Sequence, residues 1–576
     1  MSIQQLPLVF YSSGCRMKFE NFKQRRSEMS FPDPDNPYSF EDFVNHLHGM
    51  DFYADDPFLQ KTLKHFTGKK FDELDRRLRA FSPKVSFRWR PLADSGGKPQ
   101  KLPYVEHYNA YNRRIDRIVR TSETLQLEQE ILTEALFSSE VTPWEQMAKR
   151  YLLSQLGEFG VICPLACTEG LVALIKQFPE DQSPQVKTIL QHCTDGLDGN
   201  FGIGAQFITE IQGGSDIPSN LVEARFENGH YRIYGTKFFT SAIHADYAVV
   251  SAKLSDSQKV GAFIVPSWLP GNKEKEIRNN FRINRIKWKM GTSEVPTGEV
   301  EYNGSLAYPV GPVDRGVANI VGIVLTLSRI AVGFSSAAMM TRAAREAQIY
   351  AEFRDVFGTK IGQWALANHQ VRQLVYESQR CLAGFCKIYN LFQELGGRLQ
   401  PGLVSNEPLE MQRRRFLLRE LIIIQKLVTA HDTVDILRKA ISIFGGHGVI
   451  EDFCSLPRLY RDAAVNELWE GPRNVLLMQV FRDIGRAAGF YPPQLFLNDL
   501  LAGAPQNEIA ELGRRAADLA ADPPFEKLDP DSRLRAAAWE ELVVDIFRVY
   551  QDTALKEVGP EPIVAPEKIR LPDIWQ

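Results

Sequence analysis

Apolar residues change their spacing along this chain, and the changes divide it into segments. Up to about residue 85 aromatic, proline and charged residues are mixed, and Pro32-Asp33-Pro34-Asp35-Asn36-Pro37 reads as a turn-laden loop, so this part is an extension with some helices. From Glu106 to about Phe178 the spacing turns helical. Ile115, Ile118 and Val119 recur at i, i+3, i+4, and Leu152, Leu153, Leu156 and Phe159 repeat the pattern. Near Phe201 the texture changes to short β-branched or aromatic runs bounded by Gly, Pro and Asp. Tyr231–Gly235, Tyr247–Ala252, Gly261–Pro266 and Gly298–Tyr302 are the clearest, and they predict a β-domain. Long helical segments return from Val313 to about Arg486, with Leu417–Ala430 and His431–Ile443 close together, as in a helix bundle. The tail from about Gly489 is polar and Pro-punctuated, with one clear amphipathic helix, Leu534–Tyr550.

The expected organisation is therefore α+β. It comprises an N-terminal extension (1–85), a helical N-terminal domain (86–200), a β-domain (201–306), a C-terminal four-helix bundle (307–487) and a C-terminal helical extension (488–576). A length of 576 residues agrees with several cores, because single cores stop growing near about 250–300 residues. The nearest approach to a membrane span is Val321–Met340, but Arg329 lies within it, so a helix buried in a bundle is expected and no span.

Charge narrows the partners. The net charge is −3, so bulk charge lends no support to coating nucleic acid; Arg413-Arg414-Arg415 is the one basic tract that stands out, and it reads as a solvated helix face. The 7 cysteines are odd in number and include no C-x-x-C pair, which suits a reducing compartment, and the cytoplasm is the expected location. Met1-Ser2-Ile3-Gln4-Gln5-Leu6-Pro7 has no basic stretch leading into an apolar core, so no secretory signal is expected. His431 and His447 have no ligand-spaced partners, and no metal site is expected.

Five motifs carry the chemistry. Thr209-Glu210-Ile211-Gln212-Gly213-Gly214-Ser215-Asp216 and Gly445-Gly446-His447-Gly448 are Gly-rich turns that let backbone N–H groups approach an anionic group. Gly235-Thr236-Lys237-Phe238-Phe239-Thr240-Ser241 ends a strand on an aromatic and a hydroxyl. Arg354-Asp355-Val356-Phe357-Gly358 supplies a guanidinium suited to phosphate. Asn466-Glu467-Leu468-Trp469-Glu470-Gly471 sets a carboxylate beside an indole, where loss of water raises a pKa toward that of a general base.

Together, and in this order, the motifs and segments resemble the FAD-dependent acyl-CoA dehydrogenase family. Leu456-Pro457-Arg458-Leu459-Tyr460-Arg461-Asp462 running into Val465–Gly471, with Lys237-Phe238-Phe239 and Leu327-Ser328-Arg329, is most similar to its AidB-like long branch. The resemblance covers roughly residues 105 to 487. It implies FAD as cofactor, with contacts from Phe207, Thr209, Gly214, Ser215, Phe239, Ser241, Arg354, Phe357, Gly445, Gly446, Gly448 and Asn474. By the same resemblance Thr209 meets the isoalloxazine, Ser215 the diphosphate and Ser241 the flavin N5, while Arg354 reaches the diphosphate of a neighbouring subunit. Glu470 is implied as the base that takes the α-proton of an acyl-CoA, and Ser215, Arg329 and Gly471 as substrate contacts. The implied reaction is dehydrogenation to the 2,3-enoyl-CoA in a homodimer or homotetramer, with an electron acceptor such as electron-transfer flavoprotein. Three positions depart from the family pattern: Ser442 replaces a glutamine, Thr326 an aspartate, and Pro472 a Thr or Ser. The branch also includes DNA-associated members, so the alternative is an FAD-containing, DNA-associated protein with vestigial dehydrogenase chemistry.

Overall fold

The computed structural model describes residues 38–399, 406–521, 524–525 and 529–561. The turn-laden Pro32–Pro37 stretch and the Met1–Pro7 segment lie outside them.

Helices α1 (Glu41–Gly49), α2 (Pro57–Thr67), α3 (Phe71–Pro83) and α4 (Arg90–Gly96) form the first layer. α2 shows the local logic: Asp56 accepts from the Leu59 amide as N-cap, Pro57 starts the helix, and Gly68 ends it at φ 54°. The apolar faces of α1 to α4, through Phe43, Leu47, Leu63, Leu78 and Ala93, belong to one large core shared with the C-terminal helices. A π-helical turn, Lys84–Trp89, carries the chain directly from α3 into α4. The boundary expected at residue 85 thus falls inside a continuous helical run.

A hairpin follows, β1 (Tyr104–Tyr108) paired antiparallel with β2 (Arg114–Val119). This corrects the helical reading of Ile115, Ile118 and Val119. Over six residues an i, i+3, i+4 coincidence cannot be told from a β-branched strand, and Val105 and Ile118 pack against the β-domain core. Helices α5 (Ser122–Leu132), α6 (Pro143–Ser154), α7 (Phe159–Gln177) and α8 (Pro184–Thr194) complete the N-terminal helical region.

The β-domain holds β3 (Gly204–Phe207), β4 (Glu223–Glu227), β5 (His230–Thr240), β6 (Tyr247–Leu254), β7 (Val260–Pro266), β8 (Phe281–Ile286) and β9 (Gly298–Pro309). The pairings β6–β4, β4–β5, β5–β9, β9–β7 and β7–β6 close a ring, so none of these strands is left as a bare edge on both sides. β3 runs parallel to β6 and β8 antiparallel to β9. Phe207, Ile233, Val250, Phe263 and Val300 fill the interior.

The bundle is built from α9 (Thr326–Phe353), α10 (Ala365–Glu394) and α11 (Leu409–Phe444), which pack on one another. The two helices expected at 417–430 and 431–443 are a single one, since no breaker separates Ala430 from His431. The apolar stretch around Val321–Met340 is buried in this bundle, as expected of a core helix. Then come α12 (Leu456–Asn466), α13 (Arg473–Ala487), α14 (Pro493–Leu500), α15 (Gln506–Ala521) and α16 (Pro530–Val558). Among the described residues the tail therefore has three helices where its periodicity predicts one. α16 packs against α10 and α11 through Leu542, Ile546 and Phe547, and Trp539 donates to the Leu477 carbonyl at 3.0 Å.

Candidate active site

The Gly-rich loop after β3 and the end of β5 are stapled together. Lys237, 0% exposed, donates to Glu210, 2% exposed, at 2.7 Å, and also to the Ile208 carbonyl and Ser251 Oγ, each at 3.0 Å. Glu210 in turn accepts from the Leu221 amide at 2.6 Å, and the Phe238 amide donates to the Thr209 carbonyl at 2.9 Å. Burial lowers the Lys237 pKa to about 8, while the facing ammonium holds Glu210 below its ordinary value. A Cβ at Gly214 would stand 2.4 Å from Thr209 Oγ1, so only glycine lets the loop fold back on its own threonine. Thr209 and Gly214 are half-buried and Ser215 is exposed.

Strand alternation at the end of β5 buries Thr240 and leaves Phe239 and Ser241 outward. Phe239 is 49% exposed, large for an aromatic flanked by core residues, and Ser241 Oγ lies 3.1 Å from Thr297 Oγ1. Phe207 points the other way, into the β-domain interior. A half-exposed aromatic ring with the Lys287 ammonium 4.8 Å over it, a half-buried hydroxyl beside it and a self-closing Gly-rich loop fit the ring and phosphate of a flavin nucleotide.

Glu470 sits in the turn between α12 and α13 at φ 60°, a left-handed conformation that a non-glycine residue adopts only when its surroundings enforce it. Two buried cations do so. Arg329, 4% exposed, donates from Nε to the Glu470 carbonyl at 3.0 Å, and Lys426 donates to the carbonyls of Glu467 at 2.9 Å and Gly471 at 2.7 Å. Gly471 has φ 106°, and a Cβ there would meet Leu476 Cδ2 at 2.8 Å. The carboxylate itself is fixed at one oxygen only: Gln206 Nε2 donates to Oε1 at 2.7 Å and to Ser328 Oγ at 3.2 Å, whereas Oε2 is buried without a partner. Burial raises the Glu470 pKa to about 7 against the opposing charges of Arg329 and Lys426 and the Gln206 hydrogen bond. Burial also lowers Arg329 to about 10 and Lys426 to about 7. The Trp469 ring packs 5.8 Å from Phe159. Gln206 lies on β3, three residues before Thr209, so one strand connects the carboxylate to the Gly-rich loop.

At the other end of α9, Arg354 stacks over the Tyr38 ring at 4.7 Å and has no carboxylate partner among the described residues. Phe357 (φ 51°) and Gly358 (φ 78°) form the two-residue turn of a hairpin, Asp355–Val356 with Thr359–Lys360, which presents Phe357 at 78% exposure. The Gly445–Gly448 turn is beside them, because the Arg354 charge and burial both depress His447, and His447 Nδ1 bonds the Tyr350 hydroxyl at 2.8 Å. Space is open at the Cβ positions of Gly445 and Gly446, whereas a Cβ at Gly448 would stand 2.4 Å from the Ile441 carbonyl. Asn474 is exposed on the first turn of α13.

The residues expected from sequence thus gather in three groups: the loop with the β5 end, the Glu470 turn, and the Arg354 end of the bundle. Arg329 differs from its expected part, for its guanidinium is buried under the Glu470 turn and spent on that backbone rather than presented to a CoA. Gln206, Lys426 and the Glu210–Lys237 pair are site-building residues that motif reading passed over. The available signal was a Lys inside the apolar run Leu421–Ala430, and a Glu and a Lys each embedded in a motif. Arg413 donates to the Phe490 carbonyl, Arg414 pairs with Glu394 and Arg415 with Glu407, so the basic tract has internal partners.

Comparison with known proteins agrees with this geometry. Residues 205–305 match the acyl-CoA dehydrogenase middle domain and residues 404–485 the acyl-CoA dehydrogenase C-terminal domain. Acyl-CoA dehydrogenase family member 11 of Caenorhabditis elegans is 27% identical over 450 residues, 75% of this chain and 70% of that protein. AidB of Escherichia coli strain K12 is 28% identical over 411 residues, 68% of this chain and 70% of that protein. The crystal structure of Caenorhabditis elegans ACDH-11 in complex with C11-CoA shares the fold at a TM-score of 0.73 and 22% identity, covering 89% of this chain and 92% of that one. Solved structures of this fold include complexes with FAD and with FADH2. The chain thus carries the middle and C-terminal domains of the acyl-CoA dehydrogenases, in that order and within the same helical–β–helical architecture.

Proposed function

We propose that this protein dehydrogenates an acyl-CoA thioester to the 2,3-enoyl-CoA, with Glu470 as the base. The observation that carries the reading is the Glu470 carboxylate, held at Oε1 by Gln206 and left buried and unpartnered at Oε2 with a pKa of about 7. A carboxylate in that state can take a proton at neutral pH, because the loss of water on burial outweighs what Arg329, Lys426 and Gln206 give its ionised form.

In this reading the α C–H bond breaks and its proton goes to Glu470 Oε2. Gln206 holds the other oxygen so that the syn lone pair of Oε2 stays aimed. Arg329 and Lys426 keep the turn from relaxing out of its left-handed conformation while leaving the carboxylate itself unneutralised. FAD, when bound, accepts the β-hydrogen as a hydride and thereby completes the two-electron oxidation. The residues that would hold it are Thr209, Gly214 and Ser215 in the loop, and Phe239 and Ser241 at the end of β5. Arg354, Phe357 and the Gly445–Gly448 turn, on the far side of the bundle, would serve the diphosphate of a second copy, which makes a dimer or a dimer of dimers the working assembly. Electrons would leave to an external acceptor of the electron-transfer flavoprotein class.

The worm relative was solved with C11-CoA, and a fatty acyl-CoA of that class is the first substrate to try. The DNA-associated alternative requires a free basic face, and the longest basic tract is spent on Phe490, Glu394 and Glu407. The test is to mix the purified holoprotein anaerobically with a panel of acyl-CoAs. Bleaching of the flavin by at least one of them is expected. Salt-sensitive binding of duplex DNA with no acyl-CoA response would reverse the ranking.

A further inference from the structure

The loop Lys287–Thr297, between β8 and β9, carries a cation that the reaction above does not use. Lys289 Nζ lies 2.7 Å from the Thr292 carbonyl, 3.1 Å from Thr292 Oγ1, 3.0 Å from the Val295 carbonyl and 3.0 Å from Thr297 Oγ1. Thr297 is buried, and its Oγ1 is 3.1 Å from Ser241 Oγ and 3.4 Å from the Val295 carbonyl.

Donor counting gives this chain a direction. An ammonium has three protons, and the nearest three of its four oxygen neighbours are the Thr292 carbonyl, the Val295 carbonyl and Thr297 Oγ1, so Thr297 accepts from Lys289. Thr297 has one proton left. Ser241 Oγ at 3.1 Å is nearer than the Val295 carbonyl at 3.4 Å, so that proton goes to Ser241 Oγ. Ser241 then accepts from Thr297, and its own hydroxyl proton is free to point away, out of the β-domain. A charge at the head of such a chain polarises each bond after it.

We propose that Lys289 is a positioning residue of the flavin site: acting through Thr297, it fixes the Ser241 hydroxyl as an outward hydrogen-bond donor and so favours the oxidised cofactor, whose N5 accepts such a bond, over the reduced one, whose N5–H is itself a donor. The inference rests on the reading that Ser241 faces the flavin N5. Burial brings the Lys289 pKa down to about 8, so the cation persists at neutral pH.

The test is the two-electron midpoint potential of the bound FAD, measured at pH 7 in the wild-type holoprotein and in Lys289→Met, Thr297→Val, Lys289→Arg and Ser241→Ala. Lys289→Met and Thr297→Val each free the Ser241 hydroxyl to accept from the reduced N5–H and are expected to favour reduction by about tenfold, about 30 mV more positive for a two-electron couple. The double variant should shift the potential no further than either single one, because both break one relay. Lys289→Arg, which keeps a cation and a donor toward Thr297, should restore most of the shift. A purely structural Lys289 would lower the melting temperature and leave the potential where it was, and that result overturns the proposal. Should Lys289→Met fail to fold, Thr297→Val breaks the same relay one bond further on and its potential decides the question in the same way. If Ser241→Ala shifts the potential and Lys289→Met and Thr297→Val do not, the relay is wrong and the placement of Ser241 stands. If Ser241→Ala shifts nothing, the placement fails and the relay with it.

Discussion

Gln206 and Glu470 are 264 residues apart in sequence and joined by a 2.7 Å hydrogen bond. With the 3.2 Å bond from Gln206 to Ser328, it links a strand of the β-domain to the helical bundle, so the Gln206 side chain registers the two halves of the site. It also favours the ionised carboxylate, against the desolvation that raises its pKa.

A pH profile follows. The base works only when deprotonated, so the rate of flavin reduction by acyl-CoA should rise with pH through an inflection near 7. Gln206→Leu removes a hydrogen bond to a charged group, typically about 1.5–3 kcal/mol, and the inflection should move up by about 1–2 units. A pH–rate profile that is unchanged in the variant would mean that Gln206 does not tune Glu470.

Stability should depend on the same group, with the sign set by linkage. The Glu470 pKa is raised on folding, so the folded state holds its proton more tightly, and the associated stability is present below the unfolded pKa and is lost as pH rises through about 7. Glu470→Gln cannot ionise. Its melting temperature should therefore exceed that of the wild type at pH 8 by more than it does at pH 5, which differential scanning calorimetry at the two values would check.

The Glu210–Lys237 pair should be costly to break from either side. Lys237→Met leaves a buried carboxylate without its partner, at about 3–5 kcal/mol, whereas Glu210→Met with Lys237→Met together should recover a large part of that loss. Urea unfolding of the three variants measures it. Equal stabilities for the single and double variants would show that the pair does not staple the loop to β5.

Arg354 gives a prediction about the cofactor rather than the fold. Its guanidinium has only the Tyr38 ring beneath it among the described residues, so Arg354→Ala should unfold like the wild type. A charge-assisted phosphate contact is worth about 1.5–3 kcal/mol, and FAD titration of the apoprotein should show affinity weakened by about ten- to a hundredfold. Unchanged FAD affinity would remove Arg354 from the diphosphate site.

Segment order and fold class are legible in the chain because long helices and short β-branched strands carry strong periodic signals. The failures have physical causes. β2 is six residues long, too short for its apolar spacing to separate strand from helix. The single helix 409–444 reads as two because residues 420–430 are buried on every side, which hides the one-sided repeat that would carry the reading through Ala430 and His431. Motifs also point to Glu470 and to the glycines, where residue type itself is constrained. Gln206 is not legible and Lys426 shows only as a cation inside an apolar run, since the roles of both depend on partners brought near by folding and neither belongs to a motif. Arg329 is read from its position in a helix, whereas its function is set by the turn that folds over it.

The most direct test of the central claim is anaerobic flavin reduction by the best acyl-CoA, compared between the wild type and Glu470→Gln. Glutamine keeps the side-chain volume and can still meet Gln206, but it has no basic oxygen for the α-proton. The account predicts that Glu470→Gln retains FAD and binds the acyl-CoA while its reduction rate falls by at least about 10²–10⁴. Equal reduction rates in the two proteins would contradict it and make Glu470 a turn residue.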